Sequence, residues 1–172
     1  ENSAMPPWVR HQFPKAGQLV RSLRDANCQA PECEWCSENH DPVSQLRRWF
    51  GYDGFRPLPK GPNGQPLQQV IVEAAMRGEH SLGILPTGTG KSICYQLPAL
   101  SRYEKTGALT VVISPLVALM EDQVRGLELR GVSSCKSINS LLSMPERSDA
   151  LDKIRLGEVS ILIISPEQLR SS

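Results

Sequence analysis

The chain has 172 residues, 40% of them hydrophobic and 22% charged, and a formal net charge of +1. These are globular proportions, enough for one ordinary domain with a small appendage. Charge gives no independent sign of nucleic-acid binding, because residues 1–60 carry 8 basic and 7 acidic groups and residues 61–172 carry 11 of each. No apolar stretch approaches the roughly 18 residues of a membrane span, and no signal-peptide core opens the chain, so neither a membrane partner nor secretion is expected.

Residues 1–27 read as an irregular arm, packed through Trp8 and Phe13, and a short helix from about Ala16 to Ala26 with Leu19, Val20 and Leu23 on one face. Residues 28–40 follow as Cys28, Cys33, Cys36 and His40, a C-x4-C-x2-C-x3-H spacing. The Cys33–Cys36 pair has the knuckle spacing that lets two thiolates hold one tetrahedral ion, and Zn²⁺ suits a Cys₃His set. A closed site of four ligands is structural. An iron–sulfur cluster more usually takes four cysteines. The absence of a secretory signal favours a reduced, intracellular setting over a disulfide framework.

Residues 41–172 read as one α/β lobe. Asp41-Pro42 supplies an N-cap and a first-turn proline, and Val43, Leu46, Trp49 and Phe50 line one face before Gly51 ends the helix. The run Phe50–Pro57 concentrates three aromatics and Arg56, and the prolines and glycines of 57–66 mark an exposed loop. A helix is expected from Pro66 to Arg77, stopped at Gly78.

The apolar run Leu82–Leu85 reads as a short buried strand that breaks at Pro86 into Thr87-Gly88-Thr89-Gly90-Lys91-Ser92, with a helical pattern after it. Strand, glycine turn and helix N-terminus make a phosphate cradle, since glycines let backbone N–H groups approach an anion and the helix dipole favours negative charge. Lys91 would reach the β/γ-phosphates and the Ser92 hydroxyl would hold Mg²⁺. The general pattern G-x-x-x-x-G-K-[ST] fails only at its first position, where Leu85 stands.

Beyond it, strands (Ala108–Ile113, Ser134–Ile138, Val159–Ile164) alternate with helices opened by Ser114-Pro115, by the capping box Ser143…Glu146 and by Ser165-Pro166. That alternation predicts a mostly parallel sheet, with ligands at the carboxyl ends of its strands. The rule puts Thr87–Ser92, Ser114-Pro115 and Ser165-Pro166 on one rim.

LPTGTGKSICYQLPAL followed by VVISPLVALMEDQV resembles the first motifs of RecQ-type DNA helicases of superfamily 2, and the resemblance spans about Phe50 to Leu169. It implies a RecA-like P-loop lobe that uses ATP and Mg²⁺ and acts on DNA, single-stranded or partly unwound. FGYDGFRP resembles the motif that holds adenine: Tyr52 would stack on the base, Arg56 is its basic partner, and Gln68 would read the base edge. Eleven residues, Pro57–Leu67, separate Arg56 from Gln68. Ser114, Pro115, Gln123, Ser165 and Pro166 fall in motifs that lie near bound DNA, where Ser114 and backbone N–H groups could hold phosphates without a basic patch.

Two features depart from the family pattern. Its zinc module follows the motor, whereas these cysteines precede it. Its D-E-x-H motif is also missing, because no Asp-Glu dipeptide occurs in the chain. The expectation is an N-terminal fragment that binds nucleotide and does not hydrolyse it, located in the nucleoid if bacterial and the nucleus if eukaryotic. The rivals are an unrelated P-loop enzyme and a non-enzymatic nucleotide-binding module whose zinc knob recruits protein or nucleic acid.

Overall fold

The structure, a computed structural model, describes residues 12–28 and 30–169, so Trp8 lies outside the described residues. The chain divides at Gly107/Ala108 into two units. The first is helical: α1 Pro14–Asp25, α2 Glu34–Asn39, α3 Pro42–Phe50, α4 Leu67–Met76 and α5 Ile93–Thr106. The caps explain the boundaries. Asp41 Oδ2 accepts from the Ser44 N–H at 2.6 Å at the start of α3, and Gly51 ends that helix in the left-handed region at φ 70°, where a side chain would be strained.

Leu46, Phe50, Val72, Leu85, Leu97 and Leu100 are the larger members of the buried apolar set of this unit. Each such side chain contributes about 1.5–3 kcal/mol relative to exposure. The face expected on α1 is largely open, with Leu19 at 59% and Leu23 at 64% exposure, and Phe13 is also exposed.

The second unit holds β1 Thr110–Ile113, α6 Val117–Glu128, β2 Cys135–Ile138, α7 Met144–Arg155, β3 Ile161–Ile164 and a 3₁₀ turn at Pro166–Leu169. Its sheet is parallel in the order β1-β3-β2. A parallel sheet buried on its faces needs apolar strands, and ILII at the centre supplies one. Ile138, Ala150 and Ile164 form a core cluster between α7 and the strand ends. Glu146 begins α7 by accepting from the Ser143 N–H at 2.9 Å and the Ser143 hydroxyl at 2.6 Å.

One expected strand does not form. Leu82–Leu85 forms no regular element and joins no ladder, and Leu82 and Ile84 are 89% and 80% exposed while Leu85 is buried. Its apolar residues gave it strand character, but a strand exists only where a neighbour takes up its backbone groups. This run belongs to the first unit, whereas the three paired strands belong to the second.

Candidate functional site

The phosphate loop takes its shape from glycines at two places. Gly88 and Gly90 have φ of +81° and +79°, values that other residues adopt only under strain. α5 begins directly afterwards at Ile93, and the Tyr95 and Gln96 N–H groups both return to the Ser92 carbonyl. Among the described residues, the backbone N–H groups of Gly88 to Ser92 donate to no backbone carbonyl. A run of such donors at the N-terminus of a 14-residue helix is the donor set that phosphate oxygens require.

The carbonyls of Gly88, Thr89 and Gly90 in the same loop are engaged. Gln68 Nε2 donates to the Thr89 carbonyl at 2.7 Å and to the Gly90 carbonyl at 2.9 Å. Arg56 Nη1 donates to the Gly88 carbonyl, and the Arg56 backbone N–H donates to Gln68 Oε1 at 3.1 Å. The Thr89 hydroxyl donates to the Pro86 carbonyl at 2.7 Å, and Lys91 Nζ donates to the Leu85 carbonyl at 3.1 Å.

Arg56, Gln68 and the loop therefore meet despite the long insert. The insert closes on itself: Gly61 N–H donates to the Gln65 carbonyl at 2.7 Å, Leu67 N–H donates to the Pro59 carbonyl at 2.8 Å, and Lys60 bridges Pro66 in antiparallel fashion. Gln68 itself is only 1% exposed. Tyr52 is 43% exposed and stacks on Phe50, with ring centroids 6.4 Å apart.

The cysteine loop divides the expected ligand set. The sulfurs of Cys28, Cys33 and Cys36 lie within 4.8 Å of one another. Thiolates about 2.3 Å from a tetrahedral zinc stand about 3.8 Å apart, so this spacing and soft donor set fit Zn²⁺. The Ala30 backbone and the Cys36 and Cys33 thiols hold Cys28 below its usual pKa. Cys36 stands above its usual value: the Cys28 N–H opposes this, but its hydrogen bond to the Cys28 sulfur and its burial prevail.

His40 stands outside the trio. As the C-cap of α2 it places Nδ1 3.4 Å from Lys105 Nζ. Burial and the Lys105 charge both hold its pKa below the usual value. Lys105 was not singled out in the sequence. Its side chain is 4% exposed and 3.3 Å from Asp25. The clue was periodicity, because Leu97, Ser101 and Lys105 fall four apart on the buried stripe of α5.

In the second unit, register sets the strand ends side by side. Ile113 and Ile138 both pair with Ile164, so Ser114 and Ser165 leave the sheet along one edge. The Ser114 N–H donates to the Ile164 carbonyl at 2.9 Å. Pro115 and Pro166 are exposed, Ser114 and Gln123 are half-buried, and Ser165 is fully buried.

Comparison with known proteins gives a consistent answer. Residues 65–172 match the family described as DEAD/DEAH box helicase. The chain is 36% identical over 135 residues to the ATP-dependent DNA helicase RecQ of Haemophilus influenzae, an alignment covering 78% of this chain and 20% of that protein. It is 42% identical over 126 residues to RecQ of Synechocystis, covering 73% of the chain and 23% of the relative. Against human ATP-dependent DNA helicase Q4 it is 38% identical over 133 residues, 77% of the chain and 10% of the relative. The chain thus spans between a tenth and a quarter of the length of these relatives.

Proposed function

The chain belongs to the DEAD/DEAH box helicase family, and on that footing we propose that it is the ATP-binding part of a RecQ-like DNA helicase. In the intact protein, ATP hydrolysis at this loop would drive DNA unwinding. The observation that carries the proposal is the loop from Gly88 to Ser92, whose backbone N–H groups donate to no backbone carbonyl among the described residues while the Gly88, Thr89 and Gly90 carbonyls are held from behind.

Those N–H groups would donate to the phosphate oxygens, and Lys91 would exchange the Leu85 carbonyl for the β/γ-phosphates. The Ser92 hydroxyl would hold Mg²⁺, which supplies positive charge to the phosphate oxygens when bound. Tyr52, 43% exposed and stacked on Phe50, is the proposed base contact. Ser114, Pro115, Gln123, Ser165 and Pro166 are the proposed DNA contacts, made through backbone groups and the Ser114 hydroxyl where side chains are buried.

Cys28, Cys33 and Cys36 are the proposed zinc ligands, and His40, whose Nδ1 faces Lys105 while its buried Nε2 has no hydrogen-bond partner among the described residues, would have to move toward the three sulfurs to complete the set. Zn²⁺ would tie a loop that has little apolar core of its own, since Trp35 is 39% exposed. No helix among the described residues is long and apolar enough to cross a membrane.

With no Asp-Glu dipeptide to order Mg²⁺ and position water, the 172 residues should bind ATP–Mg²⁺ without turning it over. A phosphate-release assay with and without single-stranded DNA tests this. No release is expected. DNA-stimulated turnover abolished by Lys91→Ala would instead reveal a catalytic carboxylate among Glu121, Asp122 and Glu167.

A further inference from the structure

We propose that the three cysteines bind Zn²⁺ without His40, and that the fourth position on the metal takes a neutral nitrogen donor, an imidazole, from a partner molecule. The proposal rests on the reading of Cys28, Cys33 and Cys36 as a zinc site.

His40 is committed elsewhere. An ammonium has donors only, so the contact of Lys105 Nζ with His40 Nδ1 at 3.4 Å makes that nitrogen the acceptor. The proton of the neutral ring then sits on Nε2, which is buried and has no hydrogen-bond partner among the described residues. With one lone pair on Lys105 and a proton on the other nitrogen, the ring has nothing to offer a metal. Breaking the contact would leave Lys105, whose side chain is 4% exposed, with Asp25 alone. Taking a partner from a buried charge opposes that move.

The backbone that carries His40 is pinned as well. The His40 N–H donates to the Cys36 carbonyl at 2.9 Å. Gln45 Nε2 of α3 donates to the Glu38 carbonyl at 2.7 Å, and the Ser101 hydroxyl of α5 donates to the Asn39 carbonyl at 3.5 Å. The three sulfurs lie within 4.8 Å of one another, and among the described residues no imidazole nitrogen or carboxylate oxygen joins them.

Zinc in such a site is four-coordinate, so three thiolates leave one place. Cys28 is exposed while Cys36 is buried, which puts the cluster at the surface, within reach of another molecule. Three thiolates outweigh the charge of Zn²⁺, and a further thiolate or carboxylate would add to that imbalance. A neutral imidazole adds none, and its nitrogen is a common zinc ligand. Water holds the place until it arrives.

The test replaces Zn²⁺ by Co²⁺, whose visible absorption reports its ligands. Imidazole is titrated into the Co²⁺-loaded chain and its His40→Ala and Cys28→Ser variants. The wild-type spectrum should shift saturably. His40→Ala should hold Co²⁺ within about threefold of the wild-type affinity, with the same spectrum and the same shift. Cys28→Ser should weaken the metal by more than about tenfold, a loss that even residues supporting a ligand produce.

A wild-type spectrum indifferent to imidazole, with only His40→Ala responding, would make His40 the fourth ligand and overturn the proposal. Indifference in both would place the fourth donor elsewhere in the chain and overturn it equally. If the wild-type chain binds neither Co²⁺ nor Zn²⁺, the zinc reading falls and the proposal with it. Should His40→Ala fail to fold, His40→Gln, which keeps an acceptor for Lys105, takes its place with the same expected spectrum and shift.

Discussion

The cysteine loop and the phosphate loop both belong to the helical unit, yet they are built in opposite ways. The three sulfurs gather from residues no more than eight apart, with Cys28 N–H and Sγ both on Cys36 Sγ at 3.4 and 3.3 Å. The phosphate loop is held by side chains 21 to 32 residues upstream, Gln68 and Arg56. A loop shaped only by its own spacing relies on the group it binds to hold it, whereas a loop clasped by distant side chains is formed before its ligand arrives. Metal should therefore be essential to the first, and nucleotide incidental to the shape of the second.

The largest effect should come from the cysteines. Purified protein is expected to carry about one Zn²⁺ per chain, and Cys33→Ser combined with Cys36→Ser should remove it entirely, as read by elemental analysis. The same double variant should keep ATP affinity within about threefold, since the two loops share no residues. Metal-free wild-type protein, or a collapse of ATP binding in the variant, would break the contrast drawn above.

A middle effect is expected where the cysteine module meets α5. Lys105 is almost completely buried against Asp25 and His40, and Asp25→Asn would leave that ammonium without a counter-charge. Because the Asp25 side chain is 44% exposed, the loss should be about 1–3 kcal/mol, below that of a fully buried pair. Denaturant melts measure it, and an unchanged midpoint would show that the contact does not hold the module.

The smallest effect lies far from both loops, at the start of α7. The Ser143 hydroxyl and backbone N–H hold the Glu146 carboxyl below its ordinary pKa of 4.5. A carboxylate favoured in the folded state contributes above that value, and the contribution fades as pH falls through the lowered one. Melting temperatures of Glu146→Gln and wild type should therefore converge as pH drops from about 5 to 3. A constant gap across that range would contradict the assignment.

Legibility followed range along the chain. Asp41, Gly51 and the Ser143…Glu146 pair could be read because caps are local, and so could β1 and β3, whose apolar runs leave little alternative, while the signal for β2, with Lys136 and Ser137, was weak. The glycine turn Thr87–Ser92 and the helix after it were legible for the same reason. Leu82–Leu85 was misread, since strand character does not supply a partner. His40 has the right spacing for a ligand, but Lys105, 65 residues away, takes its Nδ1. Gln68 could be placed near the nucleotide site by resemblance, but its burial and its grip on two loop carbonyls appear only in three dimensions.

The most direct measurement is calorimetric titration of ATP–Mg²⁺ into the chain and into Lys91→Ala. The Lys91 ammonium sits on the Leu85 carbonyl beside the unpaired donors, and a charged hydrogen bond to phosphate is worth roughly 1.5–3 kcal/mol. The account predicts binding by the wild-type chain that weakens by about one to two orders of magnitude in the variant, with fold and zinc content unchanged. Equal affinity in the two proteins, or no binding by either, would contradict it.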